Sequence, residues 1–228
     1  MKVTPTGLIR STGIAAIVAG LMFVVIQPLH PEDILASVTT DAWAAIHYAT
    51  LAMLTLFVVG VTGIYARQVE RFGWLGLAGY VVLVMGLVLT ALGTAIEALV
   101  QPVVASSNPA FVEGMLAMVH GHPIDADLGA IPLLWNAASI GFLGGTLLFG
   151  IATFRAGILS RWASAIFAVG LFAMAPVAGL LGTPRVAAVP IGIGLAWLGY
   201  SLWAEGRKRV PEREPESSAT RREPVTAA

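Results

Sequence analysis

Two ionisable residues, His47 and Glu97, lie inside long apolar stretches of this 228-residue chain. Burying a carboxylate in such a stretch costs free energy unless it is neutral, paired or in contact with water. Its presence therefore indicates a functional group. An imidazole can donate or accept a proton near neutral pH. Glu97 is therefore the expected partner of His47, and Asn136 would position a ligand. The three residues are candidates for small-ligand binding or proton relay.

Plainer interpretations of the same residues stay open. Glu97 lies one turn from the end of its stretch, from which it could reach the lipid headgroup region. A single membrane histidine such as His47 often serves only to pack and to form a hydrogen bond.

A second set of chemical groups follows in the segment H-G-H-P-I-D-A-D, where His120, His122, Asp125 and Asp127 alternate with other residues. Imidazole nitrogens and carboxylate oxygens are ligands for Zn²⁺ or Cu²⁺. A solvated loop that binds nothing is the competing interpretation. We therefore predict no cofactor, and a Zn or Cu site here is only a weak alternative.

Several enzyme signatures are missing from the chain. It has no H-E-x-x-H zinc motif, no P-loop and no dinucleotide-binding glycine motif after a strand. The absence of cysteine excludes disulfides, thiol catalysis and thiolate metal sites. Ser139 lacks the glycine and the base of a nucleophile turn, so it reads as a helix-packing residue. The sequence disfavours an enzyme without excluding one.

The elements that must position these residues follow from composition. Hydrophobic residues make up 57% of the chain and charged residues only 11%, against about 25% charged in a typical soluble domain. Six stretches contain no Lys, Arg or Asp, at residues 12–29, 43–66, 74–100, 130–154, 162–182 and 186–204. Each is long enough to cross a bilayer, and a span must satisfy its own backbone hydrogen bonds. We predict an all-α domain over residues 1–204, a bundle of six transmembrane helices.

The charged residues predict the orientation of this bundle. Once the six stretches are marked, 12 of the 13 Lys and Arg residues fall on one side, and only Arg185 falls on the other. All four histidines lie on the Arg185 side. The positive-inside rule places both termini in the cytoplasm. Trp43 and Trp135 would then belong to an outer aromatic belt. The first stretch could instead be a signal peptide, but its length favours a retained helix.

The long outer loop between the third and fourth stretches predicts one further helix. Asn108 and Pro109 resemble an N-cap and a first helical residue, and Gly121 offers a stop. Apolar residues recur on one helical face between them. We predict a short helix at about 109–120 that lies on the outer membrane surface or caps the bundle.

Two other features concern packing and the chain terminus. Gly79, Gly86 and Gly93 recur every seven residues and predict a seam at which another helix approaches closely. Residues 205–228 are charged and rich in proline, and they predict a disordered cytoplasmic tail.

Three motifs carry a resemblance. The chain has L-H-P at 29–31, W-x3-H at 43–47 and G-x2-G-x-Y-x-R-Q-x-E-x2-G-x-L-G at 60–76. This pattern resembles a group of small, uncharacterised multi-span membrane proteins of actinobacteria. The resemblance implies a bacterial inner-membrane protein. It supplies no activity and no site residues.

Three functions are consistent with these features. The first is a non-enzymatic membrane protein that binds or moves a small solute, ion or proton in a polar pocket of its outer half, through His47, Glu97 and Asn136. The second is an intramembrane metal-dependent enzyme with His47, Glu97, His120 and His122 as ligands. The third is a structural or assembly subunit, which the glycine seam suggests. The expected partners are the lipid bilayer and either a second copy or another membrane subunit, and no nucleic acid.

Overall fold

A computed structural model of the chain describes residues 4–180 and 184–208. Within these residues the structure is helical and contains no strand. The helices are α1 (Pro5–Leu29), α2 (Leu35–Val38), α3 (Asp41–Ala95), α4 (Gln101–Val104), α5 (Pro109–Val119), α6 (Ile131–Ala156), α7 (Arg161–Leu180) and α8 (Val189–Lys208). A π-helix (Ile96–Val100) joins α3 to α4, and a 3-10 helix (Pro184–Ala188) precedes α8. The predicted all-α class is confirmed for the described residues.

Helix α3 is a hairpin whose two arms meet at Gly73. This glycine has φ 56° and ψ −162°, a backbone conformation that is essentially restricted to glycine. Tyr65 and Tyr80 stack with ring centroids 4.5 Å apart, and the Thr62 hydroxyl lies 3.0 Å from that of Tyr80. Residues 62 and 80 would be about 27 Å apart in a straight helix. The arms therefore run antiparallel, and they correspond to the second and third predicted stretches.

Among the described residues, five continuous helical segments are long and apolar enough to cross a membrane, which indicates a membrane protein. The segments are Gly7–Leu29, Asp41–Val104, Ile131–Ala156, Arg161–Leu180 and Arg185–Glu205. The sequence predicted six stretches, and the difference arises because the second segment contains both arms of the α3 hairpin.

The glycine seam of the second α3 arm packs against α6. A Cβ atom added at Gly79 or Gly86 would overlap the α6 backbone, and one at Gly93 would lie 3.3 Å from the Trp135 ring. The predicted close helix approach is confirmed, and the helix that makes it belongs to the same chain.

Helices α1 and α8 cross through a second glycine contact that the sequence reading did not identify. Gly13 lies against the backbone of Gly199, and Gly20 lies against that of Gly192. Both pairs are seven residues apart along their helices, so the contact repeats after two turns. This packing makes α1 an integral wall of the bundle.

The short helix expected at about 109–120 is present as α5. The Asn108 side chain caps it by accepting a hydrogen bond from the backbone N–H of Phe111 at 3.2 Å. Its apolar face is buried, with Val112 and Met115 almost completely inaccessible. That face packs on the end of the bundle, where Val112 and Leu116 belong to the same buried apolar cluster as Trp43. Helix α5 therefore caps the bundle.

The two ends of the bundle differ in charge. The α5 end contains all four histidines, and Arg185 is the one Lys or Arg placed there among the described residues. At the Gly73 end, the Arg67 Nε–H donates to the Glu205 carboxylate at 2.9 Å. Helix α8 continues to Lys208, so it includes the first four residues, 205–208, of the segment predicted as a tail. Residues 209–228 lie outside the described part of the chain.

Candidate functional site

A partly open cavity of about 240 Å³ lies at the α5 end. Both α3 arms, α1, α5, α6, the π-helix and the 3-10 helix contribute to it. Its polar lining consists of Gln27, His30, Asp33, His47, Thr50, Thr90, Thr94, Glu97 and Arg185. Its apolar lining consists of Phe23, Ile26, Met53, Leu54, Val119, Trp135 and Phe142. Polar groups that converge in a concavity with an apolar wall are typical of a small-ligand site.

His47 and Glu97 meet in this cavity. The His47 Nε2 lies 3.5 Å from a Glu97 carboxylate oxygen, and the side chains are only 3% and 11% exposed. The His47 Nδ1 lies 2.8 Å from the carbonyl oxygen of Trp43. Because a carbonyl can only accept, Nδ1 carries a proton and donates it. A neutral His47 therefore presents a bare Nε2 lone pair to Glu97, and a proton on either group would make this contact attractive.

Trp43 positions both members of this pair. Its backbone carbonyl accepts from His47 Nδ1 and so sets the tautomer of that ring. Its indole Nε1–H donates to the backbone carbonyl of Glu97 at 2.9 Å. Glu97 lies in the π-helix, whose wider turn leaves such carbonyls available for other donors. Trp43 is 1% exposed, so its predicted place in an outer aromatic belt is wrong. It is a buried scaffold residue.

A second polar cluster lies at the mouth of the cavity and is centred on Asp33. The Asp33 carboxylate accepts from Arg185 of the 3-10 helix and lies 3.1 Å from the His120 Nε2 at the end of α5. The His30 Nδ1 is 3.7 Å from the other Asp33 oxygen. Asp33 is 6% exposed. One carboxylate thus joins three segments that are distant in sequence.

His30 connects the two clusters. Its ring contacts the His47 ring, with centroids 5.1 Å apart, and its Nδ1 lies 2.8 Å from the carbonyl oxygen of Pro31. Burial lowers the pKa of His30, and the positive charge of Arg185 acts in the same direction, against the Pro31 hydrogen bond and Asp33. His30 is therefore neutral at neutral pH and adds no charge to the cavity.

The structure brings together only two of the three predicted binding residues. His47 and Glu97 are in contact, whereas Asn136 is exposed and does not line the cavity. The adjacent Trp135 lines it instead. Helix α6 directs one of these neighbours inward and the other away, because successive helical residues are about 100° apart.

The four predicted metal ligands do not form a metal centre. Among the described residues, no group of three or more His, Cys, Asp or Glu side chains is placed to hold a metal ion. His120 is engaged by the Asp33 cluster, while the Asp127 side chain accepts from the Gly129 N–H at 2.9 Å. His122 and Asp125 are exposed. The hydrogen bond from the Gly129 N–H shows that Asp127 closes a turn.

The sequence did not identify Asp33, His30 or Trp43 as site residues. It did contain a signal for one other member of the Asp33 cluster, Arg185. Arg185 is the exception to the charge asymmetry, and a cation on an otherwise acidic side invites a search for a partner.

The chain matches no known protein family, no curated protein and no solved structure. The site geometry alone therefore supports a function.

Proposed function

We propose that this chain is a bacterial inner-membrane protein that binds or moves a small solute, ion or proton in the cavity at its α5 end. The two α3 arms would each span the bilayer, which gives six spans and places both termini on the same side. The basic Gly73 end would face the cytoplasm under the positive-inside rule. The cavity would then open to the extracytoplasmic side.

The contact between His47 and Glu97 inside an open cavity is the observation that carries this proposal. A buried ionisable pair is a poor way to stabilise a fold, because desolvation offsets the attraction between the charges. Two well-packed apolar residues would serve the fold as well. A proton-active pair that lines a cavity is better explained by ligand or proton binding.

The size of the cavity limits its occupant. Pockets for drug-sized ligands measure about 300–1,000 Å³, and this cavity is smaller at about 240 Å³. The aromatic rings of Phe23, Trp135 and Phe142 would contact the body of a solute, while His47 and Glu97 would contact its polar group. A compact solute with one polar end fits this arrangement.

The test is a binding screen on purified protein in lipid nanodiscs, with small cationic, neutral and anionic solutes and with pH-jump proton uptake. His47→Ala and Glu97→Gln should each weaken binding by about 10-fold or more, as expected for losing a charged hydrogen bond. His122→Ala and Glu113→Gln are matched controls outside the cavity and should bind normally. If both cavity variants retained every binding and proton signal of the natural protein, the proposal would be refuted.

The other two functions have less support. Metal catalysis through His47, Glu97, His120 and His122 would need ligands that converge, and no such group exists among the described residues. Stoichiometric metal in protein purified without a histidine tag would revive that alternative. The assembly-subunit hypothesis relied on the glycine seam, and α6 of this chain already occupies that surface.

A further inference from the structure

We propose that the ligand of the cavity is a small organic monocation with N–H donors, an alkyl- or arylammonium ion, which replaces the single proton held by His47 and Glu97. This inference rests on the proposed function and names its ligand class. Three independent properties of the cavity support it: the arrangement of acceptors, the charge balance and the aromatic lining.

The acceptor arrangement favours an ammonium ion. With Nδ1 committed to the Trp43 carbonyl, the proton-free pair presents two acceptors, the His47 Nε2 lone pair and the Glu97 carboxylate, 3.5 Å apart. One ammonium nitrogen can donate to both, since each N–H bond needs a donor–acceptor distance of about 2.9 Å. An anion or a group with acceptors alone would be repelled by both atoms.

The charge balance gives the same ligand class. The other ionisable groups that line the cavity, within the described part of the chain, are Asp33, Arg185 and His30. Asp33 and Arg185 form an ion pair, and His30 is neutral. Loss of the shared proton therefore leaves the cavity with one uncompensated negative charge, on Glu97. A single proton or a single monovalent cation restores neutrality, so the two compete for one place.

The aromatic lining favours an organic cation over a hydrated metal ion. Phe23, Trp135 and Phe142 line the cavity, and Trp43 lies against His47 with ring centroids 4.3 Å apart. Aromatic faces attract ammonium groups and pack against alkyl or aryl bodies. A hard metal ion such as Na⁺ is held by oxygens, so it would gain little from the aromatic faces or from the His47 Nε2.

Exchange of the ligand for the proton is balanced. On binding, the ammonium ion enters with its positive charge, and the proton between His47 Nε2 and Glu97 leaves to solvent through the cavity mouth. No bond other than N–H or O–H breaks, and no electron is transferred. The charge of the site is unchanged by the exchange.

The test uses the full chain in lipid nanodiscs, with benzylammonium as the probe and benzyl alcohol as its neutral isostere. Calorimetry in two buffers of different ionisation enthalpy counts the protons released on binding. We expect about one proton released per benzylammonium bound, and a dissociation constant that rises up to 10-fold for each pH unit lowered while the pair is protonated. Tetramethylammonium, which has no N–H donor, should bind at least 10-fold more weakly.

Variants separate this inference from the proposed function. Glu97→Gln should abolish both benzylammonium binding and proton release, whereas His122→Gln should leave the proton count unchanged because His122 is exposed and does not line the cavity. If benzyl alcohol or an anion binds in a manner that depends on His47 and Glu97 while benzylammonium does not, the ammonium inference is wrong and the proposed function stands. If benzylammonium binds without releasing a proton, the exchange is refuted.

Discussion

The stability of His47 and Glu97 variants gives the most direct check on the shared proton. His47→Ala leaves the Glu97 carboxylate facing a cavity with no counter-charge, whereas Glu97→Gln leaves His47 with an amide whose N–H can donate to its bare Nε2 lone pair. The two substitutions remove the same contact, yet the expected costs differ.

The magnitudes follow from burial. Breaking one side of a buried ion pair costs about 3–5 kcal/mol. Glu97 retains 11% side-chain exposure in an open cavity, so water relieves part of this cost, and we expect His47→Ala to lose about 2–3 kcal/mol. Glu97→Gln keeps a neutral hydrogen bond and should lose less than about 1 kcal/mol.

The double variant isolates the stranded carboxylate. Adding Glu97→Gln to His47→Ala removes the uncompensated charge, so the double variant should be more stable than His47→Ala by about 1 kcal/mol or more. Unfolding in mixed micelles with a rising SDS fraction, followed by tryptophan fluorescence, measures all four proteins. A double variant no more stable than His47→Ala would show that packing alone explains the loss.

Three further predictions concern the scaffold and the cavity mouth. Gly20→Ala should cost about 1–3 kcal/mol in the same unfolding assay because its Cβ would overlap the backbone of Gly192, while Gly144→Ala, which meets open space, should change stability by less than about 0.5 kcal/mol. Gly73→Ala should cost about 1–3 kcal/mol through backbone strain alone, since nothing lies within 4 Å of the added Cβ. For His30, whose pKa is lowered by burial, the unfolded chain binds more protons than the folded one, so stability should fall as pH drops through about 6.5. His30→Gln should flatten this part of the pH profile.

Different outcomes would contradict each prediction. Equal stability losses at Gly20 and Gly144 would mean that the α1–α8 contact is looser than described. An unchanged Gly73→Ala protein would mean that the hairpin does not depend on the unusual backbone conformation of this residue. A pH profile that His30→Gln leaves unaltered would assign the acid sensitivity to other groups.

The helices were predictable because their signals are local. Hydropathy over about 20 residues and the positions of the arginines identified the long apolar stretches, and Asn108, Pro109 and Gly121 identified α5 within one residue of its observed end. The glycine seam at Gly79 and Gly86 was visible because the period of a helix is fixed. Each of these features depends on the chain within a few turns.

The site was only partly predictable. His47 and Glu97 stood out because an ionisable group in an apolar stretch is rare, and their contact was the expected one. Asn136 does not line the cavity, since a polar residue in an apolar stretch does not reveal what its side of the helix faces. Arg185 stood out as the one cation on its side of the bundle, but the sequence did not identify Asp33 as its partner, which lies 152 residues away.

What the sequence determined by itself is therefore the class of protein, the charge asymmetry between the ends and the identity of two costly groups. The tertiary structure decided what those groups can do. The hairpin at Gly73 brings residue 97 back beside residue 47, and Trp43 then sets the tautomer of one group and holds the backbone of the other. The physical reason is that hydropathy and helical period act over a few turns, whereas a proton is shared only at atomic contact, which packing between distant segments creates.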